Sequence, residues 1–216
     1  MGFEVTAVSV LLGTAAAFPL VRGGLPFPAG FRVAMTLPIM IPGILIGICL
    51  LVLFTQVVKV PLSPSTAVIG QSLYTTPFVL LLVAARLQSF DRNLERAASD
   101  LGANTFNRLR LVILPLIFPA ILAGALFAFT LSFDEFVITY FIVGGYNTLP
   151  IYIYTQIKYG ITPEVNALAS LLLMASILLL GLAFTLPALI RAMRRLVLRR
   201  RRSVDVPAAL GATEAA

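Results

Sequence analysis

The sequence of 216 residues contains no histidine and a single cysteine, Cys49. One cysteine cannot form a disulfide within the chain, and no group of residues has the spacing of metal ligands. We therefore expect no metal site and no catalytic residues, and a membrane enzyme is the least favoured class of protein. Cys49 lies in the middle of an apolar run, where we expect it to be a packed membrane residue.

Charged residues are also scarce, at 12% of the chain, whereas soluble domains contain about 25%. Hydrophobic residues make up 59%, above the roughly 45–50% of soluble domains. The composition therefore favours lipid as the solvent. A net charge of +7 would suggest a nucleic-acid partner in a soluble protein. Here the positions of the charges indicate membrane topology instead, and we expect no nucleic-acid partner.

The sequence contains several long stretches without charged residues. A helix needs roughly 20 apolar residues to cross a bilayer core of about 30 Å. Breaker clusters, PLSPST at 61–66 and GGYNTLP at 144–150, shorten one stretch and split another. The sequence predicts an all-α membrane protein with about five spans, at 4–21, 33–57, 67–88, 112–135 and 165–190. We expect residues 136–157 to form the end of a helix, an outside loop and a short surface helix.

The arginines predict the orientation of these spans. Five spans place residues 22–32, 86–110 and 191–202 on one side, and these segments hold all 14 arginines. The other side has only Lys59 and Lys158. Because positive residues accumulate on the cytoplasmic side, we expect the N-terminus outside and the C-terminus in the cytoplasm. Residues 191–216 would form a basic, disordered tail that anchors the topology or binds anionic membrane lipid.

One short polar stretch, LERAASDLGA at 94–103, lies between two long apolar segments. Asp91 is placed to cap a helix here, and Gly102 is placed to end it in a left-handed turn. The sequence predicts a cytoplasmic helix at about 91–104, which would lie on the bilayer surface or dock on a partner protein. Its apolar residues recur at the spacing of one helix face: Leu94, Ala97, Ala98 and Leu101.

This stretch resembles the cytoplasmic motif of permease subunits of binding-protein-dependent ABC importers. The motif reads EAA, three residues, Gly, nine residues, then Ile-x-Leu-Pro. Val112 replaces the isoleucine, and Arg96 stands at the glutamate position with Glu95 one residue earlier. The residues that match in register are Ala97, Ala98, Gly102, Leu114 and Pro115.

The resemblance implies that residues 91–104, including Ala103, form a coupling helix that docks on a separate ATPase subunit. The sequence lacks GxxxxGK followed by Ser or Thr, so it cannot supply the phosphate loop. We expect the partner to use ATP and this chain to bind no cofactor. The family also implies a second permease subunit, an extracytoplasmic solute-binding protein and the bacterial cytoplasmic membrane. Such permeases usually have six spans, and we expect that the first of them is missing here.

Residues 129–173 are similar to the spermidine/putrescine branch of these permeases, and the resemblance as a whole covers about residues 5 to 190. The matching elements are SFDEFVIT at 132–139, TLPIYIY at 148–154 and GITPEVNAL at 160–168. The resemblance implies polyamine import. The alternatives are a permease for another solute, such as iron, thiamine or an opine-like compound, or an ATP-independent secondary transporter. The last should carry charges deep in its spans, and this sequence has none there.

Two adjacent acids, Asp134 and Glu135, form the predicted substrate path together with Tyr140. In a helix, Asp134 would lie about 33 Å from Val112, near the outer membrane interface. Acids at this depth suit a cationic solute, and a tyrosine ring can contact a cation. The alternative is that both acids face water and that the tyrosine belongs to the interfacial aromatic belt.

Overall fold

The computed structural model describes residues 1–23 and 26–160, together with positions 163, 166, 167, 169–171, 173, 174 and 178. Apart from those isolated positions, the predicted span at 165–190 and the tail at 191–216 lie outside the described residues. The chain divides into two units, Met1–Tyr154 and Thr155–Ala216. The packing reported below is that of the first unit.

Helices joined by short turns make up the described part of the first unit, as predicted for an all-α protein. Among the described residues, three helical stretches are long and apolar enough to cross a membrane: Gly2–Arg22, Pro64–Ser89 and Thr105–Asp134. They correspond to the spans predicted at 4–21, 67–88 and 112–135. Among residues 1–160 the α-helices are α1 Gly2–Arg22, α2 Pro28–Met40, α3 Gly43–Val52, α4 Pro64–Ser89, α5 Asn93–Asp100, α6 Thr105–Arg108, α7 Leu114–Asp134, α8 Val137–Ile142 and α9 Leu149–Tyr159. Two π-helical segments, Leu53–Val58 after α3 and Leu109–Ile113 between α6 and α7, continue these helices.

The main apolar core lies between α1, α4 and α7, which pack along one another. The side chains at its centre are Ala17, Val79, Leu80, Val83, Leu87, Ile117 and Ala128. Small residues let the helices approach closely. A Cβ atom at Gly13 of α1 would lie 2.8 Å from Cβ of Val79 and 2.9 Å from the backbone nitrogen of Leu80. The contact between α1 and α4 therefore depends on the missing side chain of Gly13.

A capping box starts α4 three residues before the predicted position, Ala67. Ser63 Oγ accepts a hydrogen bond from the Thr66 backbone N–H at 3.4 Å. In return, the Ser63 backbone N–H donates to Thr66 Oγ1 at 2.9 Å. Pro64 follows at the first helical position, where its missing N–H costs nothing. Ser63 and Thr66 of the PLSPST cluster thus cap the start of α4, at the point where the preceding loop ends.

The continuous span predicted at 33–57 is interrupted. The helix α2 ends at Met40, α3 begins at Gly43, and the two stretches Pro28–Met40 and Gly43–Val58 meet at an angle of 101°. Ile41 is extended because the residue before a proline avoids the helical region. The sequence LPLIFPAILAG at 114–124 has the same proline spacing as LPIMIPGILIG at 37–47, yet it keeps its helix through Pro119. There the proline is followed by Ala120 rather than glycine, and alanine is more favourable in a helix by about 1 kcal/mol.

A second apolar cluster joins α3, α4 and α8. Residues 136–157 were expected to form the end of one helix, an outside loop and a short surface helix. The first part is wrong, because α8 is a separate helix whose Ile138 and Ile142 are fully buried, whereas a turn and the short helix α9 do follow it. The cluster consists of Ile46, Leu50, Phe54, Ala67, Ile138, Ile142, Val143 and Ile151. Cys49, expected to be packed, is exposed because Ile46 and Leu50 define the buried face of α3.

Candidate functional site

The predicted cytoplasmic helix forms as α5, which is shorter than the predicted 91–104. Gly102 ends it with φ +84, the left-handed conformation predicted for this residue. The Gly102 N–H donates to the carbonyl of Ser99 at 2.9 Å, and the Ala103 N–H donates to that of Ala98 at 3.0 Å. These two bonds form a Schellman motif, which satisfies carbonyl groups that the helix end leaves free. The backbone of the LGA turn is therefore fixed.

The N-terminus of α5 differs from the prediction that Asp91 caps it. The cap position is Arg92, which makes no side-chain capping bond. Asp91 Oδ1 instead accepts a hydrogen bond from the Asn93 N–H at 2.9 Å, the geometry of an Asx turn. Asp91 therefore stabilises the turn that leads into the helix rather than the helix itself.

The apolar face of α5 is open. Leu101 is 89% exposed and Leu94 is 48% exposed. Ala97 between them is exposed as well, and Ala98 is half-buried. Exposed leucines separated by alanines leave a shallow apolar strip on which another surface can pack closely. Among the described residues 86–110, this strip is the surface on which another protein could pack most closely.

The polar face of α5 is turned toward its own chain. Arg22 Nη2, at the end of α1, donates to Glu95 Oε1 in an ion pair. Arg92 Nη2 donates to the carbonyl of Val21 at 3.2 Å. Arg108 Nη1 donates to Ser99 Oγ at 2.9 Å. These contacts surround a cavity of about 230 Å³ and attach α5 to α1 on one side and to α6 on the other.

The remaining motif residues fall in two places. Arg96, at the position of the motif glutamate, is exposed, and its Nη1 contacts only Asn93 Oδ1 of its own helix, at 3.3 Å, among the described polar contacts. Leu114 and Pro115 begin α7. The helical stretch Thr105–Asp134 runs without a break from α6 into α7, and these two residues lie where α7 begins. The motif therefore extends from α5 to the start of α7.

The predicted substrate-path residues lie where α7 ends. Asp134 is the last residue of α7 and is exposed. Glu135 leaves the helix, and its Oε1 accepts a hydrogen bond from the Ile138 N–H at 2.8 Å, which caps α8. The centre of the Tyr140 ring lies 5.4 Å from that of Phe136 and 6.0 Å from that of Tyr154. The two acids thus directly precede Phe136, one ring of this aromatic cluster, and their role in a substrate path stays a prediction.

The sequence analysis missed a buried polar network beside these acids. Gln71, in the N-terminal third of α4, is 2% exposed, and its Nε2 donates to Thr139 Oγ1 at 2.6 Å. Ser132 Oγ of α7 donates to Gln71 Oε1. The Gln71, Ser132 and Glu135 side chains share one cavity of about 140 Å³. An amide within a predicted span was the available signal, because polar groups at membrane depth are costly and often functional.

Comparison with known proteins places this architecture in a family. Residues 9–202 match the model of the binding-protein-dependent transport system inner membrane component. The chain belongs to this family. It is therefore a component of the inner membrane with several membrane-spanning helices, as the apolar helices α1, α4 and α7 require.

Several curated relatives are polyamine permeases. The chain is 38% identical to the putrescine transport system permease protein PotI of Escherichia coli over 172 residues, which cover 76% of this chain and 61% of the relative. It is 39% identical to the spermidine/putrescine transport system permease protein PotC of the same organism, over 79% of this chain and 65% of the relative. A PotC homolog of Mycoplasma pneumoniae is 31% identical over 63% of this chain and 49% of the relative. The chain spans less than two thirds of the length of these relatives.

Proposed function

We propose that this chain is a membrane-spanning permease subunit of an ATP-driven importer of polyamines. The observation that carries the proposal is the similarity to two polyamine permeases, at 38% and 39% identity, over more than three quarters of the chain. The same residues that carry this similarity include the docking helix and the acids at the end of α7. Spermidine and putrescine are the favoured solutes because these two relatives are named for their transport.

The exposed face of α5 supports a partnership with ATPase subunits. Leu94, Ala97 and Leu101 form an apolar strip on a helix whose other face is already bonded to its own chain. The polar bonds hold α5 against α1 and α6 and resist its rotation. A force that a partner applies to the exposed face would therefore be transmitted to the rest of the chain. ATP binding and hydrolysis would take place on the partner, and this chain would receive the movement as a rigid-body displacement.

The acids at the end of α7 support a cationic solute. Asp134 is exposed, and the adjacent Glu135 is half-buried, with its Oε1 accepting the Ile138 N–H at the start of α8. The rings of Phe136, Tyr140 and Tyr154 lie beside them and offer faces for cation–π contacts. A linear polyamine could exchange its hydration for these groups in succession. Asp134, Glu135 and Tyr140 are therefore the residues proposed to line the entry.

The proposed assembly contains a second permease subunit, ATPase subunits and an extracytoplasmic binding protein. The distribution of the arginines supports an orientation with α5 and the C-terminus in the cytoplasm and the acids on the opposite side. In this orientation the solute meets Asp134 and Glu135 on arrival, and the ATPase meets α5. The two ends of the 30-residue stretch Thr105–Asp134 would thus connect the energy source to the entry.

Competition for uptake tests the function. Cells that lack other polyamine importers would express this chain with its partner subunits, and uptake of labelled putrescine would be measured against unlabelled spermidine, thiamine and ferric iron. Competition by spermidine alone is the expected result. Competition by thiamine or iron, or uptake that does not depend on the chain, would contradict the polyamine assignment.

The docking face can be tested separately by cross-linking. Leu101→Cys in a Cys49→Ser background should form a cross-link to the ATPase subunit in membranes. Tyr146→Cys, another exposed residue but one placed on the outer side, is the matched control and should not. A cross-link from both positions, or from neither, would contradict the proposed orientation and partner.

A further inference from the structure

The contact between Arg22 and Glu95 joins parts of the chain that are 73 residues apart. Arg22 is the last residue of α1, and Glu95 lies in the first turn of α5. The two side chains are only 20% and 15% exposed. An ion pair with so little exposure is screened less by salt and water than one on the open surface.

Neighbouring groups hold this pair in place. The guanidinium of Arg22 lies 5.0 Å from the centre of the Phe90 ring, and Phe90 belongs to the main apolar core. Arg92 adds a second link by donating to the carbonyl of Val21, next to Arg22. The core fixes the position of the Arg22 side chain, and α5 fixes that of Glu95. Formation of the ion pair therefore costs little additional side-chain entropy.

The connectivity of the chain explains why such a link matters. A displacement of α5 reaches α4 and α7 through the backbone, since short segments connect α5 to both. The cytoplasmic end of α1 has no such connection to α5, and the polar contacts described between them are those of Arg22 and Arg92. Without these contacts, α1 would follow α5 only indirectly, through its packing along α4 and α7.

We propose that Arg22 and Glu95 form a transmission contact that makes α1 move with the coupling helix, so that Arg22 is a positioning residue for transport. This inference rests on the proposed function. It also explains the altered motif: Glu95 faces inward to hold α1, and the exposed Arg96 takes the motif position that faces outward. The chain thus uses its glutamate for an internal bond rather than for a partner.

The first test measures transport per ATP hydrolysed in the reconstituted full complex. Glu95→Gln should assemble and hydrolyse ATP, but the amount of polyamine transported per ATP should fall about tenfold, within the range of allosteric coupling. The exchanged pair, Arg22→Glu with Glu95→Arg, should restore most of the ratio. Arg32→Gln, an exposed arginine on the same predicted side, is the matched control and should leave the ratio unchanged.

Three results would overturn the proposal: an unchanged ratio in Glu95→Gln, a failure of the exchanged pair to restore it, or loss of complex assembly in Glu95→Gln. The last would assign the pair to stability instead of transmission. A readout that requires no solute separates this proposal from the polyamine assignment. In a Cys49→Ser background, ATP should change the labelling rate of Leu11→Cys on the exposed face of α1. Glu95→Gln should abolish that change, and persistence of the change would contradict the proposal.

Discussion

Gln71 Nε2 donates to Thr139 Oγ1 at 2.6 Å, and this bond joins the N-terminal third of α4 to α8. The other end of the same amide accepts from Ser132 of α7, so that one side chain joins three helices. Glu135 is attached to the network because Thr139 Oγ1 also donates to its carbonyl, at 3.1 Å. Buried polar contacts therefore hold the residues of the proposed entry in place.

Replacing Gln71 should loosen this core. In Gln71→Leu, the Ser132 and Thr139 hydroxyls lose their shared partner, and the cost should be about 1–2 kcal/mol. The midpoint of thermal inactivation of the detergent-solubilised protein should fall by several degrees. Gln56→Leu is the matched control because Gln56 is exposed. Equal midpoints for the two variants would show that the network does not hold the helices together.

The close approach of α1 and α4 at Gly13 predicts a strong size dependence. Gly13→Val would force its side chain against Val79 and the backbone of Leu80, and should destabilise the protein by about 1–3 kcal/mol or more. The yield of folded protein after extraction measures the effect. Gly30→Ala is the control, since its nearest neighbour would be Phe27 Cβ at 3.8 Å. A normal yield for Gly13→Val would refute the close packing.

The turn after α5 predicts a graded series at Gly102. At φ +84 an L-residue is strained, although asparagine adopts this conformation more readily than most. Gly102→Asn should retain part of the ATP-driven uptake, whereas Gly102→Asp should abolish it because a charge enters the docking turn. Both proteins should reach the membrane at wild-type levels. Equal uptake by the two variants would assign the defect to the backbone alone.

The acids at the end of α7 predict a selective loss of affinity for cations. In the double variant Asp134→Asn and Glu135→Gln, the amide of residue 135 can still cap α8, so that the fold should be preserved. The KM for polyamine uptake should rise, by roughly tenfold if two charge contacts are lost. Glu4→Gln, an exposed acid on the same predicted side, should leave the KM unchanged. Unchanged kinetics in the double variant would make both acids ordinary surface charges.

Sequence patterns predicted the parts of the fold that depend on local chemistry. Hydropathy located α1, α4 and α7, and the turn at Gly102 followed from its position after an amphipathic stretch. The break at Ile41 was not predicted. The sequences at 37–47 and 114–124 share their proline spacing, yet one stretch bends and the other stays helical. The difference lies in the residue after the proline and in the packing of α3 on α8, and the latter is a tertiary contact.

The candidate site also combines features that local sequence patterns predict with features that depend on tertiary contacts. The apolar face of α5 could be read from its spacing, because helix periodicity is local. The inward orientation of Glu95 could not, because Arg22 lies 73 residues away and meets it only once α1 packs against α4. Gln71 was likewise visible as a polar residue in an apolar span, but its partners come from α7 and α8. The contacts that link helices therefore required the structure.

ATP-driven polyamine uptake tests the central claim most directly. Proteoliposomes would contain this chain, its partner subunits and the binding protein, and uptake of labelled spermidine would be measured with an active ATPase and with one unable to hydrolyse ATP. The account predicts uptake that requires both this chain and ATP hydrolysis. Spermidine uptake that continues without hydrolysis, or its absence from the complete and active complex, would contradict it.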